Sequence, residues 1–444
     1  MKQKLWLVIL FAAISLQTFS QTKWTLEDCI NYAHDNNLQV KRQQLQAETA
    51  KNNTTQSYFN IAPSINGNIN RNYNNGRNLD HSTYKYVNSS YTSDAYSLNS
   101  TMNLFNGLQT FNSINMNHFA MLASLQNVEK EKIELTLNIA TAYLNILYKV
   151  ELLDVSKSQQ SVTKMQVDRT QKLVDAGNIA KGDLYTIQAQ LAGENLNVTN
   201  ARNDLNLAYL NLAQLLDLDS TSGFQIYIPD TIKPDLITPI VSAEDAYQEG
   251  LKFLPHIKAG EYQLKSFEKN LAIQKGRRSP QIYMGFNWST YYSSANLDNS
   301  GAEIPYNTQF SNAIGRVLSV GVNIPILNYW SVNTAISNAR VQLDDASYQL
   351  DQTKQQLLKE IQQAYNDAIS AKDKYNASLE AVNSYGEAFK YTEQKFNVGI
   401  VNSVEYSVAK NNYIKAQSDL SQAKYEYIFQ VKILDFYRGI PFKL

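Results

Sequence analysis

Cysteine is almost missing from this chain. Cys29 is the only one in 444 residues, which excludes an internal disulfide framework and a zinc site built on cysteine pairs. Charge is scarce as well, at 18% of residues against the roughly 25% usual in soluble domains. The 40 Lys+Arg balance 40 Asp+Glu, so the attraction on which nucleic-acid binding rests is lacking and no nucleic-acid partner is expected. The four histidines, His34, His81, His118 and His256, stand at no ligand spacing, and no metal site is expected. None has a nucleophile at a recognisable motif spacing. Glycine-rich phosphate loops are lacking too, since Gly276 and Gly285 fit no P-loop. The sequence therefore argues against an enzyme and against a cofactor. After residue 21 no long apolar run occurs, so no transmembrane helix is expected, but β-barrel strands carry only a weak alternating signal and are not excluded.

What is present begins with an address. Lys2 and Lys4 precede an apolar run from Leu5 to Leu16, followed by small and polar residues through Ser20. That is the pattern of a secretory signal peptide, residues 1–20, cleaved near Ser20/Gln21. The run is too short for the roughly 20 apolar residues of a spanning helix. No cysteine at its end indicates an N-terminal lipid.

The mature chain reads as a tandem duplication. At an offset of 217, Thr25-Leu26-Glu27-Asp28 falls on Ser242-Ala243-Glu244-Asp245, and Pro63 on Pro280. After the next loop the offset is 222: Leu104-Phe105-Asn106 falls on Ile326-Leu327-Asn328, Ala142-Tyr143 on Ala364-Tyr365, Gly177 on Gly399, and Asp183 on Glu405. The expected domains are a first repeat over 21–218, a linker over 219–241 carrying Pro229, Pro234 and Pro239, and a second repeat over 242–444. The unit is far longer than a solenoid repeat.

Each repeat has the same order of parts. A helix over 25–60 or 242–278 opens on a Thr or Ser with Asp three residues later, the pattern of a capping box. Two strands follow. Ile282, Met284, Phe286 and Trp288, then Leu318, Val320, Val322, Ile324 and Ile326, alternate with residues such as Gly285, Asn287, Ser319, Gly321 and Asn323, which is the period of a half-buried strand. The first repeat shows it more weakly through Tyr96, Leu98, Ser100 and Met102. A proline-free helix then runs from about Gly107 to Asp175, or Trp330 to Asn397, roughly 100 Å at 1.5 Å per residue. It carries two adjacent seams, such as Leu350, Leu357 and Ala364 beside Leu358, Ile361 and Tyr365, which suit a helix packed on both sides. It breaks at Gly177 or Gly399, as helices do at a C′ glycine, and a shorter helix returns over about 183–217 or 405–436.

Opening and returning helices together match the long helix in length, so they can stack end to end beside it. Four strands per chain cannot close a barrel, whose smallest membrane form has about 8. The barrel must then be shared. A dimer gives a barrel filled by side chains and a trimer a hollow one, and the trimer is preferred.

At this point the chain resembles the TolC family of outer-membrane efflux proteins. The carrying features are the paired helix–hairpin–long helix–glycine–helix units, the two Ala-Tyr pairs, Leu104-Phe105-Asn106-Gly107, and the tips Asp175-Ala176-Gly177 and Asn397-Val398-Gly399, each followed six residues later by an acid. The likeness covers nearly all of the mature chain. It implies an α+β membrane protein: a homotrimer with a shared 12-stranded β-barrel in outer-membrane lipid, continuous with a periplasmic α-helical barrel of 12 columns. It further implies docking onto a periplasmic adaptor (membrane fusion) protein and an inner-membrane pump, in the envelope of a Gram-negative bacterium. The implied function is passive export of small molecules or polypeptides. Asp183 and Glu405 are then candidates for a periplasmic gate, family members carrying gate acids at the position of Glu405. Gly177 and Gly399 are candidates for the helix-tip turns and for adaptor docking. The plainer reading of both acids is that they complement a helix N-terminus, worth about 0.3–1 kcal/mol. The sequence departs from the family at Ile179 and Val401, where a gate can use an arginine latch, and at Val408, where a further acid is expected; Lys181 is a candidate substitute. Near the strand tips, Tyr73, Tyr91, Tyr96, Tyr291 and Tyr292 are candidates for an interfacial girdle. The alternative readings are a soluble periplasmic coiled-coil adaptor and a structural envelope protein without conduction.

Overall fold

The structure is a computed structural model, and it describes residues 23–80, 84–220, 223–229, 234–237, 239–298 and 300–442. The signal segment 1–20 and His81 lie outside the described residues. The chain is mostly helical with one small sheet. Its first half runs α1 (Leu26–Asn36), α2 (Leu38–Phe59), β1 (Ser64–Asp80), β2 (Lys85–Phe105), α3 (Gln109–Asp175) and α4 (Lys181–Leu215). The second runs α5 (Ala243–Phe253), α6 (Pro255–Gly276), β3 (Gln281–Ser293), α7 (Tyr306–Asn312), β4 (Gly315–Asn323), α8 (Ser331–Asn397) and α9 (Ser403–Tyr437). Helix lengths repeat between the halves: 11 and 22 residues for the opening pair, 67 for the long helix, 35 for the returning one.

The single opening helix expected in each half is instead two. Asn37 turns extended (ψ 131°), and its Oδ1 accepts the Gln39 amide at 2.9 Å, so one asparagine ends α1 and starts α2. In the second half Leu254 is extended because Pro255 follows it, and the proline then occupies the first position of α6. The caps expected at the chain starts are present. Thr25 Oγ1 accepts the Asp28 amide at 3.1 Å while Asp28 Oδ2 accepts the Thr25 amide at 2.9 Å. Ser242 Oγ accepts the Asp245 amide at 3.2 Å.

Two compact units are present, each drawing on both halves of the chain. The helical unit comprises residues up to Leu45, Gln126–Lys258 and Gln352–Leu444. Its heart is apolar: Cys29, Ala33, Ile139, Ile146, Leu147 and Leu212 are at most 1% exposed. Cys29 is packed as a small apolar residue, and burial pushes its thiol up to about 12. Tyr143 explains the Ala-Tyr pair of the first half. Its ring is buried and its hydroxyl donates to Tyr227 O at 2.6 Å, holding the linker against α3. Trp24 and Ile226 form a parallel bridge beside it. In the second half the linker is held by Tyr427, whose hydroxyl donates to Asp235 O at 2.7 Å.

The second unit comprises Gln46–Leu125 and Ala259–Asp351 and carries the antiparallel sheet in the order β1-β2-β3-β4. Gly107 shows why Leu-Phe-Asn ends in glycine: its φ is +65°, and a Cβ there would meet the carbonyl oxygen of Gly276. Register sorts the sheet into two faces. Ile69, Leu98, Met284, Phe286, Leu318 and Val320 share one; Asn68, Ser97, Asn99, Asn287, Ser289 and Ser319 share the other. Of the tyrosines expected in an interfacial girdle, Tyr73, Tyr96 and Tyr292 fall on the apolar face and Tyr91 and Tyr291 on the polar one. No helix among the described residues is long and apolar enough to cross a membrane.

Candidate functional site at the helix tips

Both tips close by the same backbone device. Gly177 N donates to Val174 O and Asn178 N to Leu173 O, each at 2.9 Å; Gly399 N donates to Phe396 O at 3.1 Å and Ile400 N to Lys395 O at 2.9 Å. This is a Schellman closure, which needs left-handed φ at the C′ residue. Gly177 (+74°) and Gly399 (+77°) supply it. The returning helices differ in their starts. Asn402 caps α9, its Oδ1 accepting the amides of Val404 at 3.1 Å and Glu405 at 2.9 Å. At the matching place α4 has Ala180, which offers no side-chain cap.

The two tips are neighbours. Ser403 Oγ donates to Asp183 Oδ1 at 3.1 Å, so Asp183, in the first turn of α4, also faces the start of α9. Arg169 on α3 reaches the end of α8, donating to Asn397 Oδ1 and, at 2.8 Å, to Asn397 O. The second position after each tip glycine is apolar, Ile179 and Val401, and Arg169 joins the two tips from α3. Glu405 lies in the first turn of α9 with its amide capped by Asn402. Lys181 has no ion pair among the described residues.

Behind the tips lies a buried polar seam that the sequence reading missed. Gln159, Thr163, Gln166 and Thr170 are buried along one face of α3. Gln159 and Thr163 meet Lys410 of α9, which is 0% exposed. Its ammonium donates to Gln159 O at 3.2 Å and to Thr163 Oγ1, and pairs with Glu194 of α4 at 3.6 Å. Burial pulls the Lys410 ammonium below the usual lysine range, and Glu194 counters only part of that. Nearby, Tyr406 is clamped between Phe389 and Phe396, and burial pushes its phenol up to about 12. Among the described residues, Gln166 Oε1 and Gln190 Nε2 are buried without a hydrogen-bond partner, and Tyr406 Oη makes no well-formed bond beyond the approach of Gln166. The signal for the seam was in the sequence: the apolar rows of α3 give way to Gln159, Thr163, Gln166 and Thr170 at the spacing of one helical face. No cluster among the described residues is suited to a metal ion. His34 is engaged with Thr136 Oγ1 at 2.9 Å and Lys132 O at 3.2 Å.

The outer membrane efflux protein family profile matches residues 29–217 and 246–437. The chain belongs to that family. It is 23% identical to outer membrane protein TolC of Vibrio cholerae over 436 residues, covering 96% of this chain and 93% of that protein. Against TolC of Escherichia coli K12 it is 22% identical over 319 residues, covering 69% of this chain and 62% of that protein, somewhat under two thirds of its length. Among solved structures, the channel CusC superposes with a TM-score of 0.80 at 17% identity, covering 94% of this chain and 92% of that one. As an outer membrane efflux protein the chain is placed in the outer membrane, and its relatives are channel and secretion proteins rather than enzymes.

Proposed function

We propose that three copies of this chain form the exit duct of a tripartite pump, exporting small molecules or polypeptides across the periplasm and outer membrane. The observation that supports it best is the open, two-faced sheet. Its edges, β1 and β4, each have a strand neighbour on one side only among the described residues, and a lipid setting demands that every backbone polar group be satisfied. Edge-to-edge pairing of β4 with the next copy's β1 closes the sheet, and three copies of four strands make a barrel of twelve. The apolar face, with Leu318, Val320 and Val322 more than half exposed, then meets lipid.

In the same reading the repeats 21–218 and 242–444 build the twelve helical columns, joined at the linker 219–241. The tips at Gly177 and Gly399 are the periplasmic entrance and the docking point for adaptor and pump. Asp183 and Glu405 contribute rings of three carboxylates to the gate. Asp183 is tied to Ser403 and Arg169 to Asn397, so these contacts join the two tips within one copy. Removing the Glu405 charge leaves them in place and alters only the ring.

The mass of the detergent-extracted mature protein, with single-channel recording, tests this reading. A detergent-requiring trimer whose Glu405→Ala variant shows raised conductance or altered cation preference is the expected result. A water-soluble monomer or dimer sinks the duct. A conducting trimer indifferent to Glu405→Ala removes Glu405 from the gate.

A further inference from the structure

The sheet carries a second pattern, independent of the tips. Within its four-stranded part, β1 from Ser64 to Asn72, β2 from Ser93 to Asn103, and β3 and β4, the charged residues are Arg71, Asp94 and Arg316. All three lie on the apolar face: Arg71 pairs across the strands with Asp94, which faces Tyr292, and Arg316 faces Trp288. Arg71 and Asp94 neutralise one another through two bonds of 2.6 Å.

Within this four-stranded part the opposite face bears no charge; by register Asp80 and Lys85 fall on it only beyond, at the β1–β2 end. Every second residue of β1 there is an asparagine: Asn66, Asn68, Asn70 and Asn72, all exposed. They stand opposite Asn99, Ser97, Ala95 and Ser93 of β2. Further along, Asn287 Nδ2 donates to Asn99 Oδ1 at 2.6 Å and Asn99 Nδ2 to Ser97 Oγ at 3.3 Å, so amides and hydroxyls form a lateral ladder. Tyr283 lies over Gly321, where a Cβ would strike its ring, adding a flat aromatic surface to the same wall. An exposed asparagine offers two donors and an acceptor but no net charge. Ion filters in pores are built from rings of charged side chains or converging carbonyls, and this face has no charged ring.

We propose that the membrane-level stretch of the conduit is lined by this uncharged amide and hydroxyl wall. It sorts solutes by size and hydrogen bonding rather than by charge, so that neutral and anionic cargo pass it as freely as cationic cargo. The inference rests on the duct reading, which makes the polar face the lumen.

The test uses the full chain in planar bilayers. Cys29 is buried, so an introduced thiol is the one a water-soluble reagent meets. In a background of Asp183→Asn and Glu405→Gln, which removes the two proposed gate carboxylates, potassium and chloride permeabilities are expected to agree within about twofold, as for a pore without a charged ring. Modifying Asn70→Cys with a cationic thiosulfonate is expected to shift the reversal potential toward anions, whereas Ile69→Cys, one residue back and therefore on the lipid side, resists the reagent. A preference beyond about twofold in that background overturns the neutral wall. Labelling of Ile69→Cys with Asn70→Cys inert, or a labelled Asn70→Cys that leaves the potential unmoved, overturns it as well. Absence of any conductance in every variant instead strikes the duct reading itself.

Discussion

The helical unit is built by two different rules along its length. Around Ile139, Ile146 and Leu212 it is packed with apolar side chains, and its buried tyrosine hydroxyl, that of Tyr143, reaches carbonyl oxygens. Between Gln159 and the tips the same helices bury glutamine, threonine, lysine and glutamate, and Gln166 Oε1 and Gln190 Nε2 there lack partners among the described residues. An apolar core gains free energy with each buried area and tolerates no slip, because side chains interlock at crystal-like density. A polar seam gains little net, since each bond made replaces one to water, and every unmade bond is a cost. The first region is therefore a fixed anchor. The second holds its helices by a few directional contacts, which fits the proposal that this end of the duct opens.

Lys410 is where the contrast breaks most sharply. Truncating it by Lys410→Ala leaves Glu194 buried without its partner, a change that costs about 3–5 kcal/mol in comparable pairs. The expected readout is local: amide hydrogen exchange accelerates in α9 around Tyr406 and in α3 around Thr163, while amides near Ile139 keep their protection. Replacing both members, Lys410→Met with Glu194→Leu, is expected to restore protection, because an apolar pair needs no compensation. Uniform acceleration along the whole helix would erase the proposed boundary between the regions. In the anchor the matching test is Ile139→Ala, expected to cost about 2–5 kcal/mol through lost burial and a residual cavity. Here the thermal midpoint of the whole protein should fall, and exchange near Ile139 should rise at least as much as at the tip.

Much of the framework was legible beforehand because it rests on periodicity and punctuation. The long helices end at Asp175 and Asn397, as the tip glycines require, and β2, β3 and β4 lie under the alternating stretches. Strand β4 nevertheless stops at Asn323, short of Ile324 and Ile326, where the chain approaches and passes Pro325. The break at Pro255 was readable too, but Asn37 was not, since an asparagine inside a helical pattern signals a cap only when its amide meets the chain two residues on. The partners at the tips were out of reach for a related reason. Asp183 and Ser403 are far apart in sequence, and which side chains of four helices face one another depends on rotation about each axis. Lys410 in particular reads as one more surface lysine until α3 and α4 close over it.

The two returning helices offer a smaller test. α9 starts on Asn402, whose side chain caps two amides, and α4 starts on Ala180, which caps none. Exchanging the difference should move both tips in opposite directions by about 1 kcal/mol. Asn402→Ala is expected to loosen the first turn of α9, and Ala180→Ser to firm that of α4, as read by proteolytic nicking at 178–182 and 400–404. Ala180→Ser without effect on nicking would mean that the amides of α4 already find water or another partner.

The smallest effect is the most discriminating. Gln166 is buried on the seam near the Tyr406 phenol, with its Oε1 unpartnered among the described residues. In an ordinary core, swapping a buried polar residue for leucine removes bonds and costs stability. Here one of its bonds is already unmade, so Gln166→Leu removes a desolvation cost of about 1–3 kcal/mol along with whatever its amide gains. The net expectation is a tip whose protection is unchanged or slightly raised. Its conductance should meanwhile fall, because a seam closed by leucine has one fewer alternative contact to exchange during opening. A stable tip with undiminished conductance would separate stability from opening and leave the seam a packing irregularity. A destabilised tip would show that Gln166 is satisfied in the assembled protein and that the seam is as firmly specified as the apolar anchor behind it.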